Sequence, residues 1–274
     1  MTVRIGSLFS GIGGFEVGLE RAIPGTETVW QVEADAFCQS ILQKHWPQAV
    51  IYDDVCAVGS HNLEPVDILC GGFPCQDISI VGKQRGINDG KKSSLYYEMF
   101  RIICEIRPRV VIFENVPAII RLGGHDVLKT LASAGYDAEW CTIRTAADFG
   151  LPHIRRRWFC VAYDATYTHG IRYKTGKNHT VRPSSHRTGQ SSATTCSSFE
   201  KRRPGHDRGR GDETTRTIKP IICRSDDGVS DRLDKTTVTE HNRRLKALGN
   251  AITPPASEWI GQQVLQSGLL DDLL

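Results

Sequence analysis

Four stretches of this chain place reactive or ligand-binding side chains where a backbone turn can present them. The first, Leu8-Phe9-Ser10-Gly11-Ile12-Gly13-Gly14, joins a strand-like run to a helical pattern. Glycines let a main chain approach a ligand closely, and a helix N-terminus favours negative charge. Glu33 ends the next strand-like run, where a dinucleotide-type site sets a carboxylate against ribose hydroxyls. The pair fits an adenosine-containing cofactor, whereas a glycine turn by itself is often only a tight turn. In the second stretch, Gly71-Gly72-Phe73-Pro74-Cys75-Gln76, Pro74 fixes the chain immediately before Cys75. A thiol held on such a turn is a candidate nucleophile, and its usual pKa of roughly 8.5 means that nearby positive charge would favour the thiolate. The commoner fate of one cysteine in a loop is structural. In the third, Phe113-Glu114-Asn115-Val116-Pro117, an acidic side chain leaves a buried strand, so it can be desolvated and donate a proton. The fourth, His153-Ile154-Arg155-Arg156-Arg157, sets Arg155 and Arg157 on one face of an extended chain. That pair could hold a carboxylate, a phosphate or a base carbonyl, or could be a solvated basic run.

All four stretches follow or feed predicted strands. The pattern predicts strands at Arg4–Ser10, Glu27–Glu33, Val66–Gly71, Arg109–Glu114, Ala138–Arg144 and Trp158–Tyr163. Helices are expected from Gly14 through Arg21, and over Ala36–His45, Leu95–Ile106, His125–Ala134 and Glu258–Ser267. Short apolar runs alternating with helices predict an α/β fold, a doubly wound and mostly parallel sheet. Such sheets bind ligands at the carboxyl ends of their strands, which is where these residues fall.

Composition divides the chain. Residues 164–236 carry fifteen Lys or Arg against nine Asp or Glu, whereas the remainder carries nineteen against twenty-two. A basic segment of this kind suits a polyanion, or is a solvated linker. It holds only ten Ile, Leu, Val, Phe, Tyr or Trp residues, so it is expected to be mobile or to order only on a partner. The apolar runs are of strand length, short of the ~18 residues that span a membrane. The N-terminus reads as the start of a buried strand and not as a signal segment, so a cytoplasmic protein is expected. The nine cysteines include no C-x-x-C pair, which indicates neither a zinc site nor a disulfide framework. All but Cys75 are expected to be small buried hydrophobes. Leu269, Leu270, Leu273 and Leu274 read as exposed or as part of a frayed tail.

In this order the segments resemble the motif series of the cytosine-5 DNA methyltransferases of bacterial or phage type. The matching stretches are Leu8–Phe15, Val32-Glu33, Asp54-Val55, Gly72–Gln76, Glu114-Asn115-Val116, His153–Arg157 and Ala247-Leu248-Gly249-Asn250-Ala251. They cover most of residues 4–163 and 243–267. Each is a weak pattern singly, and seven in the family's order and spacing are a strong one. The resemblance implies a Rossmann-like methyltransferase sheet with a small, poorly structured recognition region. The expected organisation is a catalytic and cofactor-binding domain over 1–163, a basic target-recognition region over 164–240, and a return to the catalytic domain over 241–274.

It also implies residue roles. Cys75 would add to carbon 6 of a cytosine and so make carbon 5 nucleophilic. Glu114, protonated, would meet ring nitrogen 3 and the exocyclic amine, and Arg155 and Arg157 would hold the carbonyl. Phe9, Gly11, Gly13, Glu33, Asp54, Pro74 and Asn250 would line the site of S-adenosyl-L-methionine, Glu33 at the ribose and Asp54 at the adenine amine; no metal is implied. The substrate would be double-stranded DNA with the target base flipped out, and Ser79–Gly86 would close over it. Protection of a host genome alongside a cognate restriction endonuclease, a role on phage DNA and action alone stay open, and a monomer is expected. Two positions depart from the family: His153 stands where many members have Gln, and Ala34 follows Glu33 where an aromatic often stacks on adenine. The same chemistry on RNA, and a DNA-binding relative with impaired targeting, remain open alternatives. A nicotinamide-dependent oxidoreductase would leave Cys75 and the arginines without a task.

Overall fold

Ile68–Gly71 and Val110–Asn115 are nearly continuous apolar runs because both faces of the strands they form are covered. Ile68, Cys70, Val110 and Ile112 point to one core, and Leu69, Val111 and Phe113 to the other. The computed structural model describes residues 2–73, 95–168 and 238–274. In chain order its strands are β1 (Val3–Leu8), β2 (Thr26–Val32), β3 (Val50–Tyr52), β4 (Ile68–Gly71), β5 (Val110–Asn115), β6 (Tyr136–Thr145) and β7 (Arg156–Asp164). Its helices are α1 (Gly14–Ala22), α2 (Ala36–His45), α3 (Leu95–Ile106), α4 (Ile119–Leu122), α5 (Gly124–Ser133), α6 (Val238–Asn250) and α7 (Pro254–Ser267). Among the described residues no helix is long and apolar enough to cross a membrane.

The strands form one mixed sheet in the order β3-β2-β1-β4-β5-β7-β6. Pairing is parallel from β3 to β5 and antiparallel from β5 through β7 to β6. The fold is thus the α/β, mostly parallel, Rossmann-like sheet that the sequence pattern implies. From β1 the chain winds outward to β2 and β3, then crosses back to β4 and β5. The crossovers diverge between β1 and β4, and this opens a crevice at their carboxyl ends.

One face of the sheet is packed by α3 and α5, through residues such as Met99, Ile102, Val127 and Leu131. On the other face, Phe15 and Leu19 of α1 share a core with Ile260 and Val264 of α7. The α1–α7 approach requires glycine at Gly18, where an added Cβ would sit 2.1 Å from Ser257 Oγ. The hydroxyl of Ser257 donates to the carbonyl of Gly14 at 2.6 Å.

The predicted bounds of α2 and α3 hold, because Asp35 caps the first and the second carries a strong apolar stripe. β3, only three residues long, has no counterpart among the predicted strands. α7 begins four residues before its predicted start, since Pro254 suits a first helical turn. Leu269 and Leu270 are buried against the α1–α7 core, which corrects the exposed or frayed reading. Cys56, Cys104 and Cys141 are exposed while Cys38, Cys70 and Cys160 are buried, so burial does not extend to every cysteine beyond Cys75. The expected recognition region and the Ser79–Gly86 loop lie almost entirely outside the described residues.

Candidate active site

At the carboxyl ends of β1, β2 and β3, main-chain groups hold the polar side chains. Phe9 leaves β1 with a φ of 56°, in the left-handed region that a bulky residue seldom adopts. Such strain, of order 1–3 kcal/mol, persists where surrounding contacts fix it. The turn then runs through Gly11, also at positive φ, whose N–H donates to Glu33 Oε2 at 2.8 Å. The N–H of Asp35 donates to Glu33 Oε1 at 2.9 Å, and the N–H of Glu33 itself reaches the carbonyl of Tyr52. One carboxylate therefore ties the β1–α1 turn to the end of β2. Asp35 caps α2 by accepting from the N–H groups of Phe37 and Cys38. Asp54 caps the 3₁₀ turn Val55–Ala57 by accepting from the N–H of Cys56 at 2.8 Å. Each acid has an ordinary structural reason to be where it is, and each keeps lone pairs to offer.

At β4, β5 and β7 the side chains hold one another. Gly72 lies so close to Glu114 that a Cβ there would sit 2.6 Å from Glu114 Oε2. The amide of Asn115 donates to the carbonyl of Phe73 at 2.9 Å and accepts from the N–H of Val116, which anchors the end of the segment leading to Pro74 and Cys75. Glu114 is enclosed, and Arg157 Nε lies 2.6 Å from its Oε1. Burial pushes the Glu114 carboxyl above its ordinary range, against the pull of Arg157 and Arg155 toward the ionised form. Arg155 donates through Nη1 to the carbonyl of Gly249 at 2.5 Å, while its Nε and Nη2 are buried with no hydrogen-bond partner among the described residues. Burial and the neighbouring Arg157 lower the Arg155 pKa. Buried donors of this kind cost about 1–3 kcal/mol each, so a cationic fork with idle donors is poised to meet an acceptor.

The two groups of residues share one cavity of about 850 Å³. It brings together Phe9, Gly11, Glu33, Asp54 and Asn250 with Glu114 and Arg157. Gly13 is not among its walls, for its α-carbon faces the ring of Trp46. Arg155 lines a smaller recess behind it with Arg157 and Arg144. Pro74 and Cys75 lie outside the described residues, although Phe73, immediately before them, forms part of the wall. Sequence reasoning missed Asp35, Asp53, Phe73 and Lys246 as wall residues. Phe73 lies within the matching stretch Gly72–Gln76, and Asp53 and Lys246 adjoin Asp54 and Ala247, so the motifs could have suggested all three. Lys246, whose Nζ lies 3.7 Å from Asp35 Oδ2, is brought in by α6 from a distant part of the chain.

From β2 to β5 the sheet steps across three neighbours, roughly 14 Å at the usual strand spacing. A ligand that touches both Glu33 and Glu114 must span about that distance. Carboxylates outnumber cations in the wall: Glu33, Asp35, Asp53, Asp54 and Glu114 against Arg157 and Lys246. The wall therefore suits a ligand with hydroxyl or amine donors and positive charge.

Residues 3–195 match the model of the C-5 cytosine-specific DNA methylase family. Among characterised proteins, the chain is 32% identical over 169 residues to the type II methyltransferase M.Bsp6I of Bacillus sp. (strain RFL6), covering 59% of this chain and 52% of the relative. It is 30% identical over 164 residues to the type II methyltransferase M.HhaI of Haemophilus parahaemolyticus, covering 59% of this chain and 49% of the relative. This chain thus spans about half the length of the relatives it matches. Among solved structures, the S. pombe Dnmt2 methyltransferase superposes with a TM-score of 0.51 at 20% identity, covering 60% of this chain and 51% of that one. That likeness supports the fold.

Proposed function

This chain belongs to the C-5 cytosine-specific DNA methylase family, and from that premise we propose that it methylates carbon 5 of cytosine in double-stranded DNA, with S-adenosyl-L-methionine as donor. The observation that carries the proposal is the single cavity joining an acceptor-rich wall at Glu33, Asp35, Asp53 and Asp54 to the half-buried Glu114–Arg157 pair. S-adenosyl-L-methionine would supply an electrophilic methyl group, and its sulfonium charge, ribose hydroxyls and adenine amine match that wall. Glu33, held by Gly11 and Asp35, would accept from the ribose, and Asp54 from the adenine amine. Phe9, Gly11, Pro74 and Asn250 would complete the donor's surroundings, while Gly13, turned toward Trp46, would shape the turn from behind.

Cys75 would add its sulfur to carbon 6 of the cytosine, and the electrons so displaced make carbon 5 the nucleophile. Negative charge then builds on the ring toward nitrogen 3. Glu114, whose burial favours the protonated form, would place its proton there, and Arg157 would fix the orientation of its carboxyl. The idle donors of Arg155 would meet an acceptor oxygen of the base or its strand. A base within a duplex must leave its stack to reach Cys75. The basic region 164–240 would contact the phosphates, which position the duplex without specifying sequence. We place this activity in the cytoplasm, in a monomer that protects DNA from a cognate restriction endonuclease.

The test is transfer of labelled methyl from S-adenosyl-L-methionine to unmethylated genomic DNA, with tRNA in parallel. Label at cytosine carbon 5 in DNA is expected; label confined to tRNA would keep the chemistry and replace the substrate. Cys75→Ser should abolish transfer while calorimetry still detects S-adenosyl-L-methionine binding. Full activity in that variant would remove Cys75 from the mechanism.

A further inference from the structure

Cys141 lies on β6, the edge strand, and Cys160 directly opposite on β7. Opposed residues of antiparallel strands project from the same face, with Cβ atoms about 4.5–5.5 Å apart. Their α-carbons, about 4.5–5.5 Å apart in an antiparallel ladder, fall within the ~4.4–6.8 Å that a disulfide spans, and closing the bridge draws the Cβ atoms together by about 1 Å. The next pair along that face, Ile143 and Trp158, meets the same core as Cys160, which fixes the face both sulfurs share. The register sets the two thiols side by side, close enough for each to shift the other's titration. Cys160 is fully buried, whereas Cys141 is exposed. Cys56 and Cys104 are exposed too, but stand on a 3₁₀ turn and on α3, outside the sheet.

We propose that Cys141 and Cys160 form a dithiol modification site, which hydrogen peroxide converts into a disulfide joining β6 to β7. The exposed Cys141 attacks one peroxide oxygen, so the O–O bond breaks, a sulfenic acid forms and the first water leaves. Cys160 then attacks the sulfenic sulfur; the S–S bond forms, the S–O bond breaks and the second water leaves. Two thiols lose two hydrogens in all, and one peroxide becomes two waters. Exposure favours Cys141 for the first step, and its interaction with Cys160 holds its thiol below the ordinary range while pushing the partner's up. The buried position of Cys160 limits competing reactions, since only a sulfur already at Cys141 can reach it.

Peptide mapping of the intact chain tests the site. Trypsin cleaves after Arg144 and Arg157, so the two cysteines fall in separate peptides, 130–144 and 158–172. After mild peroxide treatment and alkylation of the remaining thiols, these peptides are expected as one linked species, two hydrogens lighter than their sum. A reductant should release it, and at that dose Cys56 and Cys104 should still be alkylated. Cys141→Ser should abolish the species and leave Cys160 alkylatable only after unfolding. Three results would overturn the proposal: Cys141 carried on to a sulfinic acid with Cys160 still a free thiol, either cysteine linked to a different one such as Cys75, or linkage between two chains.

Discussion

The two ends of the cavity are built in different ways. Around β1–β3 the acids are fixed by main-chain N–H groups: Gly11 and Asp35 hold Glu33, and the first turns that follow hold Asp35 and Asp54. Around β5–β7 the charged groups are fixed by each other, Glu114 against Arg157, with Arg155 leaning on the carbonyl of Gly249. Main-chain donors cannot move or titrate, so the first arrangement suits a surface that must be ready before its ligand arrives. A buried carboxyl balanced between desolvation and two guanidinium groups can change its protonation with modest changes around it, which suits a place where bonds are made. The difference teaches that rigidity and chemical responsiveness are distributed along one edge of one sheet.

The contrast can be broken most sharply at its responsive end. Glu114→Gln keeps the shape of the side chain but removes its titration, and is expected to lower kcat about 10²–10⁴-fold, with binding of S-adenosyl-L-methionine largely kept. Single-turnover kinetics with a parallel binding titration checks this, and a loss confined to binding would erase the distinction between the two ends. In the parent, the raised Glu114 pKa predicts that kcat falls as pH rises through that value, because the required form is the protonated one. Glu33→Ala should do the reverse: it removes the acceptor that Gly11 and Asp35 hold toward the ribose, and one lost charge-assisted hydrogen bond of about 1.5–3 kcal/mol lowers affinity for S-adenosyl-L-methionine on the order of 10–100-fold. Methyl transfer at saturating donor should fall by far less.

A third carboxyl sharpens the comparison away from the cavity. Glu16 of α1 is fully buried and accepts from the amide of Gln31 at 2.9 Å, while its other oxygen and Gln31 Oε1 have no hydrogen-bond partner among the described residues. Burial raises its pKa, so the folded chain keeps a proton there that the unfolded chain releases above its ordinary value near 4.5. Stability is therefore lost as pH rises from that value toward the folded pKa. Glu16→Gln supplies a donor for Gln31 Oε1 and no charge to bury. It should stabilise the fold by about 1–3 kcal/mol at pH 8 and by clearly less near pH 5, as denaturant melts at both pH values would show. The smallest effect is expected at Lys246→Ala. Its contact with Asp35 is long and solvent-exposed, so affinity for S-adenosyl-L-methionine should change by less than about 1 kcal/mol.

What the sequence disclosed and what it hid divide on physical grounds. Glu33 and Glu114 were legible because each ends an apolar run, and an acid there has no packing role to explain it. α2 and α3 were legible from a capping aspartate and a strong apolar stripe. β3 was hidden because three residues are too few to show a period, and its pairing with β2 is decided by the neighbour. The Cys141–Cys160 pairing depends on a register that a bulge between Ala138 and Trp140 shifts, and no local pattern announces a bulge. Arg109, with its guanidinium on Asp272 and over the ring of Tyr167, joins parts of the chain more than a hundred residues apart. Leu269 and Leu270 looked like loose ends for the same reason, since the core that covers them is made elsewhere.

The packing of α1 against α7 has a consequence for how the protein is made. Phe15 and Leu19 leave the ribosome more than two hundred residues before the helix that covers them, Pro254–Ser267. At ordinary rates of synthesis the interval is roughly ten to fifty seconds. Throughout it, one side of the first-made helix offers an apolar stripe to whatever is nearby. Growing chains should therefore be guarded by chaperones or be prone to aggregate until α7 docks, and ribosomes that stall before Pro254 should release products that degrade quickly.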